Sequence, residues 1–142
     1  GAIAQLDRWQ ARLGRIAGIC FSFLDSGPGM AARLSGRELS TMNVEEERDA
    51  LLRCLRLRVT SKSEYGTGVG LREVITEVAR ASGFIRIRSG RLAIFKSFSP
   101  GDTLGDVSEG FDDWFENKPS LYRATGTLFS VFLPIPSPGA EA

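Results

Sequence analysis

Apolar and polar positions change period several times along the chain, and each change marks an element. Residues 3–13 set Ile3, Leu6, Trp9 or Gln10, and Leu13 at helical spacing, with Asp7, Arg8 and Arg12 on the other side, which predicts a short amphipathic helix. From Ile16 the pattern becomes an apolar run, I-A-G-I-C-F-S-F-L, closed by D-S-G-P-G, which reads as a strand and a turn. Alternation puts Ile19, Phe21, Phe23 and Asp25 on one face of that strand, so a carboxylate ends a row of bulky apolar side chains. An acid there is either buried for a purpose or stands at a pocket mouth. Phe21 and Phe23 read as core.

Residues 30–41 are irregular or short-helical and read as a mobile connection. Asn43 with Glu46 three residues on is an N-cap signature for a helix reaching about Arg58. Its acids (Glu45, Glu46, Glu47, Asp49) crowd the first turn and its arginines (Arg53, Arg56, Arg58) the last, as the helix dipole favours. After a stretch rich in glycine and hydroxyls, Leu71, Val74, Ile75, Val78 and Ala79 fall on one face of a further helix, with Gly83 as its C-terminal cap. Residues 84–88 alternate Ile85 and Ile87 against Arg86 and Arg88, and Ser89-Gly90 turns the chain into residues 91–98, a hairpin. A polar excursion over 99–124 is expected to hold a helical turn around Trp114, and its F-D-D-W-F-E segment reads as a docking surface or a flap packed on its own domain. The last strand, T-L-F-S-V-F-L, is expected to stop at Pro134, giving one domain over 1–134 and a flexible tail over 135–142.

Composition narrows the chemistry. A formal charge of +1 supplies no bulk attraction to nucleic acid or anionic lipid. Arg86, Arg88, Arg91 and Lys96 make a basic hairpin, for which the solvent face of a sheet is the preferred explanation over nucleic-acid binding. Cys20 and Cys54 sit among apolar residues and read as buried, reduced thiols of a cytoplasmic protein. The chain has no histidine, which removes imidazole bases, histidine triads and any internal phosphohistidine. No apolar run approaches the length of a membrane span.

Two glycine clusters carry the functional signal: D-S-G-P-G-M at 25–30 and Y-G-T-G-V-G-L at 65–71. Glycines permit positive φ and close ligand approach, and the second cluster opens into a helix whose free N–H groups suit a phosphate. Neither is a Walker A loop, and the second follows a polar loop rather than a strand, unlike a dinucleotide fingerprint. In order along the chain, Asp25 with Gly27 and Gly29, a lid over 31–65, Gly66, Gly68, Gly70 and Leu71, and Gly126 with Thr127 resemble the boxes of the GHKL ATPase superfamily, which includes gyrase B, heat-shock chaperones, sensor histidine kinases and MutL. The T-S-K before the second box and the G-T-L-F-S-V-F-L-P ending look most like the histidine-kinase branch.

That resemblance implies an α+β Bergerat fold: a two-layer α/β sandwich, a mixed sheet with helices on one face and ATP bound between them. It implies that Asp25 accepts a hydrogen bond from the adenine amino group as a buried carboxylate, that Gly27, Gly29 and Met30 shape the base pocket, and that Thr127 backs Asp25. Gly66, Thr67, Gly68, Val69, Gly70 and Leu71 would wrap the phosphates. Lys62 would reach the terminal phosphate, a solvated loop lysine being the other reading. The activity implied is ATP hydrolysis or histidine-kinase-type phosphotransfer in signal transduction, with a phosphoacceptor on another domain or chain. Mg²⁺ would accompany ATP, but the family's metal-binding Asn has no counterpart: Gly1-Ala2-Ile3 looks like an Asn-Ala-Ile box with glycine in the Asn position. Either the chain begins inside that motif and the domain lacks its N-terminal part, or this is a metal-poor relative that senses the nucleotide without turnover. Asp7 is a remote substitute ligand. A plain binding domain that uses the basic hairpin is the reading outside nucleotides.

Overall fold

Trp9 shows how the chain begins to fold. In a computed structural model, which describes residues 2–13, 17–56, 69–102, 109–115 and 120–135, helix α1 (Ala2–Leu13) buries its indole. Its indole Nε1 donates to the carbonyls of Ser82 and Phe98, 3.0 Å from each, and its ring meets Phe84 and Phe132. Burying an indole with its N–H satisfied retains the hydrophobic gain without a desolvation penalty.

A five-stranded sheet, ordered β1-β5-β2-β3-β4, receives that helix. Its strands are β1 (Ala17–Asp25), β2 (Phe84–Gly90), β3 (Leu92–Ser97), β4 (Asp112–Asp113) and β5 (Ala124–Ile135). Every ladder is antiparallel, where a mixed sheet was expected. The cause is connectivity: β2 and β3 form a hairpin, and β5 inserts between β1 and β2 running against both. Alternation then sends Ile85, Ile87, Ser89, Thr127, Phe129 and Val131 to one face and Phe84, Arg86, Arg88 and Phe132 to the other.

The first face carries the main core. Helix α3 (Val44–Arg56) brings Leu51 and Leu55, and α4 (Val69–Arg80) brings Ile75, Val78 and Ala79, against Ile85, Ile87, Leu92, Ile94 and Val131. Each fully buried Leu or Ile contributes roughly 1.5–3 kcal/mol. Trp9 packs on Phe84 and Phe132, so α1 lies on the second face. The sandwich of helices and sheet is therefore present, but the expected confinement of helices to one face is not. Trp114 explains why the second face needs cover: it packs with Phe84 and Phe95, with the Arg86 guanidinium 4.6 Å from its ring centroid. Together Trp9 and Trp114 build a smaller aromatic layer there.

Several local expectations change for identifiable reasons. Residues 30–41 are not a loose connection: α2 (Met30–Ser35) and a 3-10 turn (Leu39–Thr41) bury Ala31, Ala32, Leu39 and Met42 with Ala50 of α3. The part of the expected lid at 57–65 lies outside the described residues, and the rest is packed helix. At the end of α4, Ser82 rather than Gly83 takes the left-handed conformation (φ 53°), while Gly83 N–H returns to the Val78 carbonyl at 2.8 Å. Gly83 is needed for space, because a Cβ there would crowd the Phe132 carbonyl at 2.5 Å. Around Trp114 the chain makes β4 and a bend, not a helical turn, since Asp112 and Asp113 pair with Phe95 and Ile94. Strand β5 runs through Pro134 to Ile135, three residues beyond the last β2 pair at Phe132, where a neighbour is present on one side only. Residues 136–142 of the expected tail lie outside the described set.

The Asn43 capping box forms as read: Glu46 N–H donates to Asn43 Oδ1 and Asn43 N–H to Glu46 Oε2, both at 2.8 Å. Those bonds and Arg37 hold the Glu46 carboxyl below its ordinary range. Among the described residues no helix is long and apolar enough to cross a membrane.

Candidate functional site

Strand β1 ends at Asp25, directly opposite Thr127 of β5. Directly paired residues of an antiparallel ladder present their side chains on the same face, here the face of α3 and α4. Asp25 Oδ1 accepts the Gly27 N–H at 2.8 Å, which shapes the turn and leaves the other carboxylate oxygen without a hydrogen bond among the described residues. The carboxylate is exposed, not buried as the resemblance implied, because β1 is an edge strand that no described helix covers. For the same reason Ile19, Phe21 and Phe23, which continue the row from Asp25, are 48%, 42% and 60% exposed rather than core. Phe21 and Phe23 stack on each other, 6.5 Å apart.

The chain reaches α2 through Gly29, whose φ of 91° suits only glycine, and whose Cβ position is 3.1 Å from Ser89 Oγ. Ser89 Oγ accepts the Met30 N–H at 3.0 Å and lies 3.2 Å from Thr127 Oγ1. Gly126 (φ 78°) is held to glycine because a Cβ would overlap the Asp25 carbonyl oxygen. Asp25, Gly27, Gly29, Met30 and Thr127 are thus brought together at one end of the sheet. Gly70 and Leu71 lie in the first turn of α4, which starts at Val69. A Cβ on Gly70 would meet no described atom within 4 Å. Lys62, Gly66, Thr67 and Gly68 lie outside the described residues.

On the outer side of the same turn, an open cleft of ≈ 520 Å³ is lined by Gly27, Pro28, Arg33, Arg37, Arg123 and Thr125, among others. It shares Gly27 with the expected binding set but neither Asp25 nor Thr127.

Two groups that sequence reasoning missed hold this end of the sheet. By sequence Ser89 reads only as a turn residue; its position directly before the hairpin glycine Gly90 gives no hint of a buried hydroxyl. By sequence Glu47 is one of the acids that favour the helix dipole, yet it is 1% exposed and accepts Arg91 N–H at 2.7 Å and Arg91 Nε–H at 2.6 Å. Arg91 also donates to the carbonyls of Leu39 and Met42. A Cβ on Gly90 would overlap Glu47 Oε1, so the hairpin glycine makes room for a carboxylate from α3.

The basic hairpin is not a solvent face. Arg88 donates to the carbonyls of Gly90, Leu92 and Tyr122, and burial, then the Arg86 charge, lowers its pKa. Arg86 covers Trp114, and Lys96 reaches the Glu109 carbonyl and the Phe98 ring. The segment at 111–115 is accordingly a flap on its own domain, with Phe111 buried and Asp113 paired to Arg48 of α3. Cys20 is exposed, contrary to expectation, because it too lies on the uncovered edge strand. Cys54 is half-buried and donates weakly to the Met30 carbonyl; burial pushes its thiol up to about 11.

Among the described residues no group of three or more His, Cys, Asp or Glu side chains converges. Asp7 is exposed on α1, across the sheet from Asp25. No protein-family model, curated protein or solved structure matches the chain.

Proposed function

We propose that this domain binds ATP on the helical face of the sheet, at the end of β1. The observation that carries the reading is the juxtaposition of Asp25 and Thr127 beside a turn whose Gly29 is conformationally required. Asp25 keeps one carboxylate oxygen for an amino donor. A purine carrying an amino group there is accepted, whereas a carbonyl would face a carboxylate with neither bearing a proton, which disfavours guanine. The exposed row of Phe23, Phe21 and Ile19 offers the base an apolar surface, and Gly70 stands in the first turn of α4, where helix N–H groups suit a phosphate. ATP would bring its own reactive phosphates. What this chain supplies is recognition of the base and the ordered glycine turn that feeds α2.

Between turnover and sensing, the position of α1 favours sensing. Trp9 anchors that helix to the face opposite Asp25, so its exposed Asp7 lies across the sheet from the site. The domain then couples nucleotide occupancy to α2 and α3 and through them to another domain or chain, in the manner of a histidine-kinase-like module. The hairpin reading loses support, since its cations are engaged within the domain.

Calorimetric titration tests the binding. ATP is expected to bind the parent, and Asp25→Asn is expected to weaken it at least tenfold without unfolding the domain. Equal binding by both proteins would remove the nucleotide reading. Phosphate release in the presence of Mg²⁺ separates the rest: none is expected, and steady turnover would restore the enzyme reading.

A further inference from the structure

We infer that the open cleft on the outer side of the Gly27–Gly29 turn docks an extended acidic segment of a partner protein. The site is separate from the Asp25 end of the sheet, and the inference is independent of the nucleotide reading.

Three guanidinium groups from two parts of the fold line this cleft of ≈ 520 Å³. Arg33 and Arg37 come from α2 and the turn after it, Arg123 from the residue before β5, and all three are exposed. The whole chain carries a formal charge of only +1, so this concentration of cations is local. Two carboxylates stand nearby, and each is already engaged. Glu38 accepts the Ser40 hydroxyl at 3.1 Å, while Glu46 accepts the Asn43 N–H at 2.8 Å and lies 3.4 Å from Arg37. Arg37 is set in place by the Thr41 carbonyl at 2.6 Å, so it loses little freedom when it binds an anion. Arg123 makes no hydrogen bond or ion pair among the described residues.

Backbone geometry independently marks the same place. The β2–β5 ladder steps from Ser89 opposite Thr127 to Gly90 opposite Ala124, which leaves Thr125 and Gly126 as a bulge without β2 partners. Bulges re-aim side chains beside binding sites, and Thr125 lines the cleft with Arg123. Tyr122, directly before Arg123, is 98% exposed. Arginine and tyrosine are the side chains that most often carry the energy of protein interfaces.

Size and lining select the occupant. A volume of this order holds several side chains, and a single small anion would fill little of it. Buried Ala32 and Leu39 supply an apolar floor between the cations. A peptide that alternates carboxylate and apolar side chains offers partners to both. Glu38, which also lines the cleft, repels a dianionic phosphate about twice as strongly as a carboxylate, and it can accept a peptide N–H. An acidic peptide is thereby favoured over a nucleic-acid backbone.

The test selects peptides from a randomised phage library on the full chain. Fluorescein-labelled winners are then titrated by fluorescence anisotropy against the parent, Arg123→Gln, Arg33→Gln and Arg80→Gln, with thermal melting to confirm folding. Arg80 is an exposed arginine of α4 outside the cleft. Winners are expected to be enriched in aspartate and glutamate and to bind Arg123→Gln and Arg33→Gln about tenfold more weakly than the parent. Arg80→Gln is expected to bind as the parent does, and added salt should weaken every complex. Amide chemical shifts of the parent, which need no variant to fold, are expected to move at residues 27–28, 33–39 and 123–125. No winners, winners without acidic bias, equal binding by Arg123→Gln and Arg33→Gln, or shifts confined to β1 would each overturn the inference. Single-stranded DNA that binds more tightly than the peptides and is lost in Arg123→Gln would give the cleft to nucleic acid and overturn the choice of partner.

Discussion

Replacing Glu47 by alanine removes the carboxylate that ties α3 to the β2–β3 turn, and the size of the effect follows from what Arg91 loses. Two charge-assisted bonds disappear, one to the Arg91 backbone N–H and one to its Nε. The Arg91 side chain is 23% exposed, so water recovers only part of them, while the carbonyls of Leu39 and Met42 still engage the guanidinium. Breaking a buried pair from one side costs about 3–5 kcal/mol, and the two remaining carbonyls place Glu47→Ala near the lower end, at about 3 kcal/mol. Against a total stability of about 5–15 kcal/mol that is a large fraction. It corresponds to a fall in Tm of about 10 °C for a chain of this length. Urea and thermal unfolding followed by circular dichroism measure it. Glu47→Gln, which retains an acceptor for the backbone N–H, is expected to lose less. If Glu47→Ala stays within about 0.5 kcal/mol of the parent, the carboxylate is not enclosed as described and the reasoning fails.

Gly126→Ala forces a residue with φ 78° to carry a Cβ against the Asp25 carbonyl, so the end of the β1–β5 ladder must open; amide exchange at residues 24–25 and 127–128 should quicken, and unchanged protection would count against the close approach. The cysteines should separate kinetically: at pH 8 a maleimide is expected to modify exposed Cys20 well before Cys54, and equal rates would contradict their placement. Because the folded-state thiol of Cys54 titrates near 11 against an ordinary value of 9.0, its contribution to stability is full below pH 9 and is lost as pH rises from there toward 11. Denaturation midpoints measured in Cys54→Ala should therefore fall less steeply over that window than in the parent.

Much of the secondary structure was legible because local signals agree with tertiary demand. Asn43 and Glu46 announce α3 by a reciprocal pair of bonds that depends on three-residue spacing alone. Ile85 and Ile87 announce a half-buried strand by period two. The errors fall where an element's neighbours decide the outcome. Phe21 and Phe23 have the pattern of a core strand, but strand order makes theirs the edge. Arg86 and Arg88 have the pattern of a wet face, but Trp114, about 30 residues away in sequence, comes back to cover one and the Tyr122 carbonyl binds the other. Asp25, Gly29 and Thr127 were found from motif order, and the ladder brings them to one end of the sheet. Ser89 and Glu47 were not found, since a hydroxyl and a carboxylate become buried partners only when residues 38 and 44 positions apart meet.

The chain's two tryptophans, Trp9 and Trp114, both stand on the face opposite Asp25. Intrinsic emission is therefore a report on one side of the sheet. It will follow unfolding of the domain closely, and a base resting against β1 on the other side touches neither indole. Any shift in emission on adding a nucleotide would mean that the sheet itself, or the flap and helix laid across its back, had moved.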